Sequence, residues 1–121
     1  MTKSILAIDD SKTIRDMLSY TLSDAGYSFV LAEDGQKGLD ALSESHFDVI
    51  ITDINMPVMD GITFIQEARS RPEIKGTPIL VLTTEGSTDV KQKGRAAGAT
   101  GWIVKPFDPD KLLAVIRKVS P

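Results

Sequence analysis

The side chains with reactive potential in this sequence are the adjacent acids Asp9 and Asp10, then Asp53, Thr83 and Lys105. No cysteine occurs, which excludes disulfides, thiolate catalysis and zinc sites built on sulfur. What remains is oxygen chemistry. Carboxylates gathered together suit a hard cation, and Mg²⁺ in particular takes one or two carboxylates, several waters and a phosphate oxygen. Two carboxylates about 4 Å apart repel by roughly 4 kcal/mol at an effective dielectric near 20. A fold tolerates that cost when the acids have an ion to hold. A lysine beside such an ion supplies the fixed positive charge that a phosphoryl group needs. Asp53 can then act as an oxygen nucleophile and become an aspartyl phosphate. Transfer of this kind depends on in-line positioning and neutralised equatorial oxygens, which Mg²⁺, Lys105 and Thr83 can provide.

Each residue also has a plainer explanation. Asp9-Asp10 taken alone could be helix-capping acids, and a lone Lys105 is most often a solvated charge. The elements that carry them argue for the shared site. Short apolar runs rich in branched residues recur along the chain: Ile5-Leu6-Ala7-Ile8, Phe29-Val30-Leu31-Ala32, Val49-Ile50-Ile51, Ile79-Leu80-Val81-Leu82 and Trp102-Ile103-Val104. They are apolar at successive positions, which predicts parallel strands buried on both faces. Helical spacing fills the intervals. Ile14, Met17, Leu18, Leu22 and Ala25 form one stripe, with Ser11 or Asp10 as N-cap and Gly26 as its stop. Leu39 and Leu42 mark a second helix after Asp34-Gly35, and Phe64, Ile65 and Ala68 a third, opening near Asp60-Gly61. The fourth runs from about Ser87 to Ala97 and ends at Gly98. The fifth follows Pro109, with Leu112, Val115, Ile116 and Val119 inward.

Alternating strands and helices predict an open α/β sheet with helices on both faces. Ligands of such sheets bind beyond the carboxyl ends of the strands. There the first run ends in Asp9-Asp10, the third in Thr52-Asp53, the fourth in Thr83-Thr84 and the fifth in Lys105-Pro106. His46 precedes the third run, away from that rim, and is expected on the surface rather than as a ligand or phosphocarrier. The length of 121 residues suits one domain, and the sequence is expected to form a single domain over 1–121 without an output domain. A net charge of −3 gives no field favouring nucleic acid or an anionic membrane. No segment approaches a membrane span in length, so a cytoplasmic location is expected.

Asp9-Asp10, the stretch Asp53-Ile54-Asn55-Met56-Pro57-Val58-Met59-Asp60-Gly61, Thr83 and Lys105-Pro106-Phe107 together resemble the response-regulator receiver family, of the single-domain, CheY-like chemotaxis type. The resemblance spans essentially the whole chain. It implies a flavodoxin-like (βα)5 three-layer sandwich, its parallel five-stranded sheet in the order 2-1-3-4-5. It implies a two-component phosphorelay in which a histidine kinase donates the phosphoryl group to Asp53. Mg²⁺ would be held by Asp10, Asp53 and the backbone carbonyl of Asn55, with Asp9 assisting through water. Thr83 and Lys105 would contact the phosphate, and the Lys105-Pro106 bond could be cis. Thr83 and Trp102 would form the switch, acting on the face made by helix four, strand five and helix five. Trp102 occupies a position where Tyr or Phe is usual; packing against helix four alone is the simpler alternative. Asn55 and Glu85 resemble the pair that tunes dephosphorylation.

The leading reading is a signalling switch, not an enzyme, that binds a flagellar motor or other effector differently once phosphorylated, with a phosphatase as a further partner and the chain a monomer. Lys91, Lys93, Arg95, Lys111, Arg117 and Lys118 would make its partner face basic and suited to an acidic peptide. A phosphate sink or shuttle that drains the kinase is the alternative. An aspartate-nucleophile phosphatase wants a second carboxylic acid two residues after Asp53, where Asn55 stands. A nucleotide or flavin binder wants a glycine-rich loop after the first strand, where Asp9-Asp10 would repel phosphate.

Overall fold

The computed structural model describes residues 2–84 and 86–121. Strands and helices alternate: β1 (Ser4–Ile8), α1 (Lys12–Asp24), β2 (Ser28–Ala32), α2 (Gly35–Glu44), β3 (Val49–Thr52), α3 (Gly61–Arg69), β4 (Ile79–Thr83), α4 (Thr88–Ala97), β5 (Gly101–Val104) and α5 (Pro109–Val119). A short 3₁₀ turn, Pro72–Ile74, was not expected from the sequence and follows α3. All strand pairs are parallel, in the order β2-β1-β3-β4-β5. This is the flavodoxin-like order that the resemblance implied.

Alternation of side chains along each strand divides the core into two layers. Ile5, Ala7, Val49, Ile51, Leu80 and Leu82 face α1 and α5, where they meet Leu18, Leu22, Phe107, Leu112 and Ile116. Leu6, Ile8, Ile50, Ile79 and Val81 face the opposite way and meet Leu39, Leu42, Phe64, Ile65 and Ala68 of α2 and α3. Burial on both faces holds for β1, β3 and β4 but not for the outer strands. Val30 of β2 is exposed, β5 is only partly buried, and Val104 is half exposed. Edge strands have a neighbour on one side only, so their apolar runs look like central strands in sequence yet stay wetter in the fold. The α1 stripe is likewise narrower than its spacing suggested: Met17 and Ala25 are exposed, while Thr21 is buried.

Helix starts follow side-chain capping. Ser11, Asp34, Asp60, Ser87 and Asp108 each accept a backbone N–H in the first turn of α1, α2, α3, α4 and α5. Between Ser11 and Asp10, the cap is Ser11. Gly26 and Gly98, with φ of 86° and 120°, supply the left-handed residues after α1 and α4. No helix among the described residues is long and apolar enough to cross a membrane.

Candidate functional site

Strand register brings the acids together. Ile8 of β1 pairs with Thr52 of β3, so Asp9 and Asp53 are the first residues beyond neighbouring strand tips. Thr83 of β4 pairs with Val104 of β5, and Lys105 follows immediately, its N–H donating to the Thr83 carbonyl. Asp9, Asp10 and Asp53 each present a carboxylate oxygen within 4.8 Å of the others. Asp9 and Asp53 are buried and Asp10 is exposed. The Lys105 ammonium lies 2.6 Å from Asp9 Oδ2 and 2.9 Å from Asp53 Oδ2, its side chain only 10% exposed.

Each group is held from the backbone as well. Asp53 Oδ1 accepts the Ile54 N–H at 2.7 Å, while Oδ2 faces Lys105. Asp9 Oδ1 accepts the Ser11 N–H at 2.9 Å. The Asp53 carbonyl is closely covered by α3: a methyl on Gly61 would come within 1.9 Å of that oxygen. Gly61 donates its N–H to the Ile54 carbonyl, closing the loop beneath Asp53. That loop also holds Val58 at a φ of 69°, a conformation unusual for a β-branched residue. The Lys105-Pro106 peptide is cis.

Charge balance within the cluster is uneven. Burial raises the Asp9 carboxyl above its ordinary value, against the opposing pull of Lys105 and the Ser11 N–H. Burial alone would lower the Lys105 ammonium, but Asp9 and Asp53 together outweigh it and hold it above its ordinary value. Asp9 Oδ2 is buried, and Lys105 is the one partner it meets among the described residues. A buried anionic oxygen with spare coordination, in a set of oxygen donors only, fits a hard divalent cation. Asp9, Asp10 and Asp53 are the carboxylates that would hold it.

The remaining candidates are distributed around this centre. Thr83 is fully buried at the end of β4. Asn55 is exposed in the loop after β3. Trp102 is half buried on β5 and packs against the core layer beneath α4. Glu85 lies outside the described residues. His46 is exposed, its Nε2 3.7 Å from Asp48, away from the acids as expected. Of the basic residues, Lys91 and Arg95 border one recess with Trp102, whereas Arg117 lines another with Lys3 and Tyr27. All six are exposed.

Sequence reasoning missed Arg15. Its Nη1 donates to the Asp9 carbonyl at 2.8 Å. Asp9 itself donates to Ala32 as the last rung of the β1–β2 ladder, after which the chain turns into α2. Arg15 therefore satisfies a strand-end carbonyl that β2 no longer reaches. The only signal in the sequence was a basic residue one turn into the helix that follows the acid pair.

A doubly wound α/β domain with acids, a lysine and a threonine at its strand tips is the class that fold and site define. The model of the response regulator receiver domain matches residues 5–117, and the chain belongs to that family. It is 35% identical to the probable chemotaxis protein CheY of Rhizobium etli, over 95% of this chain and 90% of that protein. It is 37% identical to the response regulator MprA of Mycobacterium sp. (strain KMS) over its whole length, but spans only 54% of that protein. The chain thus covers about half the length of the MprA relatives. Among solved structures, chemotaxis protein CheY4 of Vibrio cholerae superposes with a TM-score of 0.95 at 50% identity, covering 98% of this chain and 99% of that one. The chain is accordingly a receiver domain of a two-component system, a signalling domain rather than a conventional enzyme.

Proposed function

We propose that Asp53 accepts a phosphoryl group from a histidine kinase in a Mg²⁺-dependent reaction and that the acyl phosphate switches binding of an effector. The observation that carries this reading is the convergence of Asp9, Asp10 and Asp53 within 4.8 Å of one another, with the Lys105 ammonium against Asp9 and Asp53. An Asp53 carboxylate oxygen attacks phosphorus, and the P–N bond of the donor phosphohistidine breaks with its electron pair going to the imidazole nitrogen. Mg²⁺, when bound by Asp9, Asp10, Asp53 and the Asn55 carbonyl, supplies charge neutralisation for the phosphoryl oxygens. Lys105 exchanges its contact with Asp53 Oδ2 for a phosphoryl oxygen, and Thr83 meets a second one.

Phosphorylation replaces the single carboxylate charge of Asp53 with an acyl phosphate carrying nearly two negative charges where Lys105 and Thr83 converge, and that difference is the differential interaction a switch requires. Trp102 on the adjoining strand responds, and the surface of α4, β5 and α5 changes for an effector such as a flagellar motor protein. Asn55, with no acid function two residues after the nucleophile, favours a phosphate that outlasts one catalytic cycle. Mass spectrometry after Mg²⁺ and acetyl phosphate tests the assignment. A base-labile phosphoryl adduct on Asp53, absent from Asp53→Asn, is expected; an adduct elsewhere or none refutes it. Effector binding that does not depend on phosphorylation would turn the reading toward a phosphate sink.

A further inference from the structure

Among the helices, α4 has the weakest claim to its place on the sheet. Its one fully buried residue is Gly94, which has no side chain to bury. Glycine inside a helix lowers the helical equilibrium about fivefold relative to alanine. The backbone at Gly94 is ordinary helix, so nothing local demands glycine. What demands it is the neighbour. A methyl at this position would sit 2.7 Å from Cζ3, 3.5 Å from Cη2 and 3.6 Å from Cε3 of Trp102. Those are the three nearest heavy atoms, and all belong to the indole.

Trp102 is anchored on the other side by the sheet. It pairs with Val81 in the β4–β5 ladder, two residues before Thr83, and packs on the core layer with Val90, Ala97 and Ala99. The ring is therefore held between a strand that leads to the acid site and a helix that has given up a side chain to admit it.

We propose that Gly94 is the positioning residue for Trp102: the missing side chain is the seat of the indole, so the ring and α4 move only together. A movement of Trp102 then displaces α4, and a side chain at position 94 shifts the ring. For its trigger this rests on the phosphoryl switch described above; the steric pair itself does not.

Urea unfolding of wild type, Gly94→Ala, Trp102→Leu and the double variant forms the test. In the Trp102→Leu background, alanine is expected to raise the folding equilibrium constant about fivefold, as helix propensity alone dictates. With Trp102 present, the same substitution is expected to lower that constant and shift the indole emission. An equal gain in both backgrounds with unchanged emission overturns the proposal. Beryllofluoride with Mg²⁺ then separates it from the switch reading. A silent wild type counts against the switch and leaves the unfolding cycle to decide the pair. A responding wild type should lose at least half of its fluorescence change in Gly94→Ala; an undiminished change overturns Gly94 as the positioning residue.

Discussion

Replacing Lys105 by Met removes the cation that balances the acid cluster while keeping an unbranched side chain only one atom shorter. The ammonium stands 2.6 Å from Asp9 and 2.9 Å from Asp53. At an effective dielectric near 20 each attraction is roughly 6 kcal/mol, and each carboxylate pair, lying within 4.8 Å, repels by roughly 3.5 kcal/mol or more. Desolvation of the ammonium offsets much of the attraction, and the exposed Asp10 is screened by water. Loss of one partner from a buried pair leaves the others uncompensated, which typically costs 3–5 kcal/mol. With relief through Asp10 and Asp9, about 3 kcal/mol is expected for metal-free protein at pH 7, a fall in Tm of roughly 10 °C. Mg²⁺ should recover most of it, because a ligand at 100 times its Kd contributes about 2.7 kcal/mol.

The pH dependence carries a definite sign. Burial already raises Asp9 above 3.8, and without Lys105 one lowering influence disappears. A raised carboxyl gives stability that is full below its unfolded value and lost as pH rises through the folded value, so the deficit of Lys105→Met grows from acid to neutral pH. Lys105 is itself raised above 10.5, so its contribution in wild type is complete below that pH and lost as pH rises through the folded value. The two proteins should therefore converge again in strong alkali. Calorimetry in EDTA and in Mg²⁺ across this range is the assay. A variant as stable as wild type in EDTA, or one that gains no more from Mg²⁺ than wild type does, would refute the electrostatic account.

Other substitutions probe the same frame. Asp9→Asn should stabilise the metal-free protein by about 1 kcal/mol at neutral pH, with the gain vanishing below pH 3.8 where Asp9 is protonated in both states; thermal melts against pH would show it. Gly61→Ala should cost about 3 kcal/mol or more, since its methyl would lie 1.9 Å from the Asp53 carbonyl, and denaturant unfolding would measure the loss. Arg15→Met should weaken Mg²⁺ binding several-fold in a calorimetric titration, with Arg15→Lys partly restoring it, because the Asp9 carbonyl loses its donor. Unchanged affinity in Arg15→Met would show that the strand tip holds itself.

The sequence by itself determined the alternation of strands and helices, the capping residues and the set of chemically active side chains. These are local properties: branched apolar runs favour strands, and a serine or aspartate before a helical stripe satisfies its first free N–H groups. Tertiary structure decided the rest, because it depends on which strands lie side by side. Strand register alone made Asp9 and Asp53 neighbours and placed one ammonium between them. The same apolar pattern came out buried in β3 and half wet in β5, since position in the sheet, not composition, sets how many neighbours a strand has. Arg15 on the Asp9 carbonyl and the indole of Trp102 on Gly94 belong to this second class as well. Each joins residues on different elements, and periodicity within one element carries no information about what another will press against it.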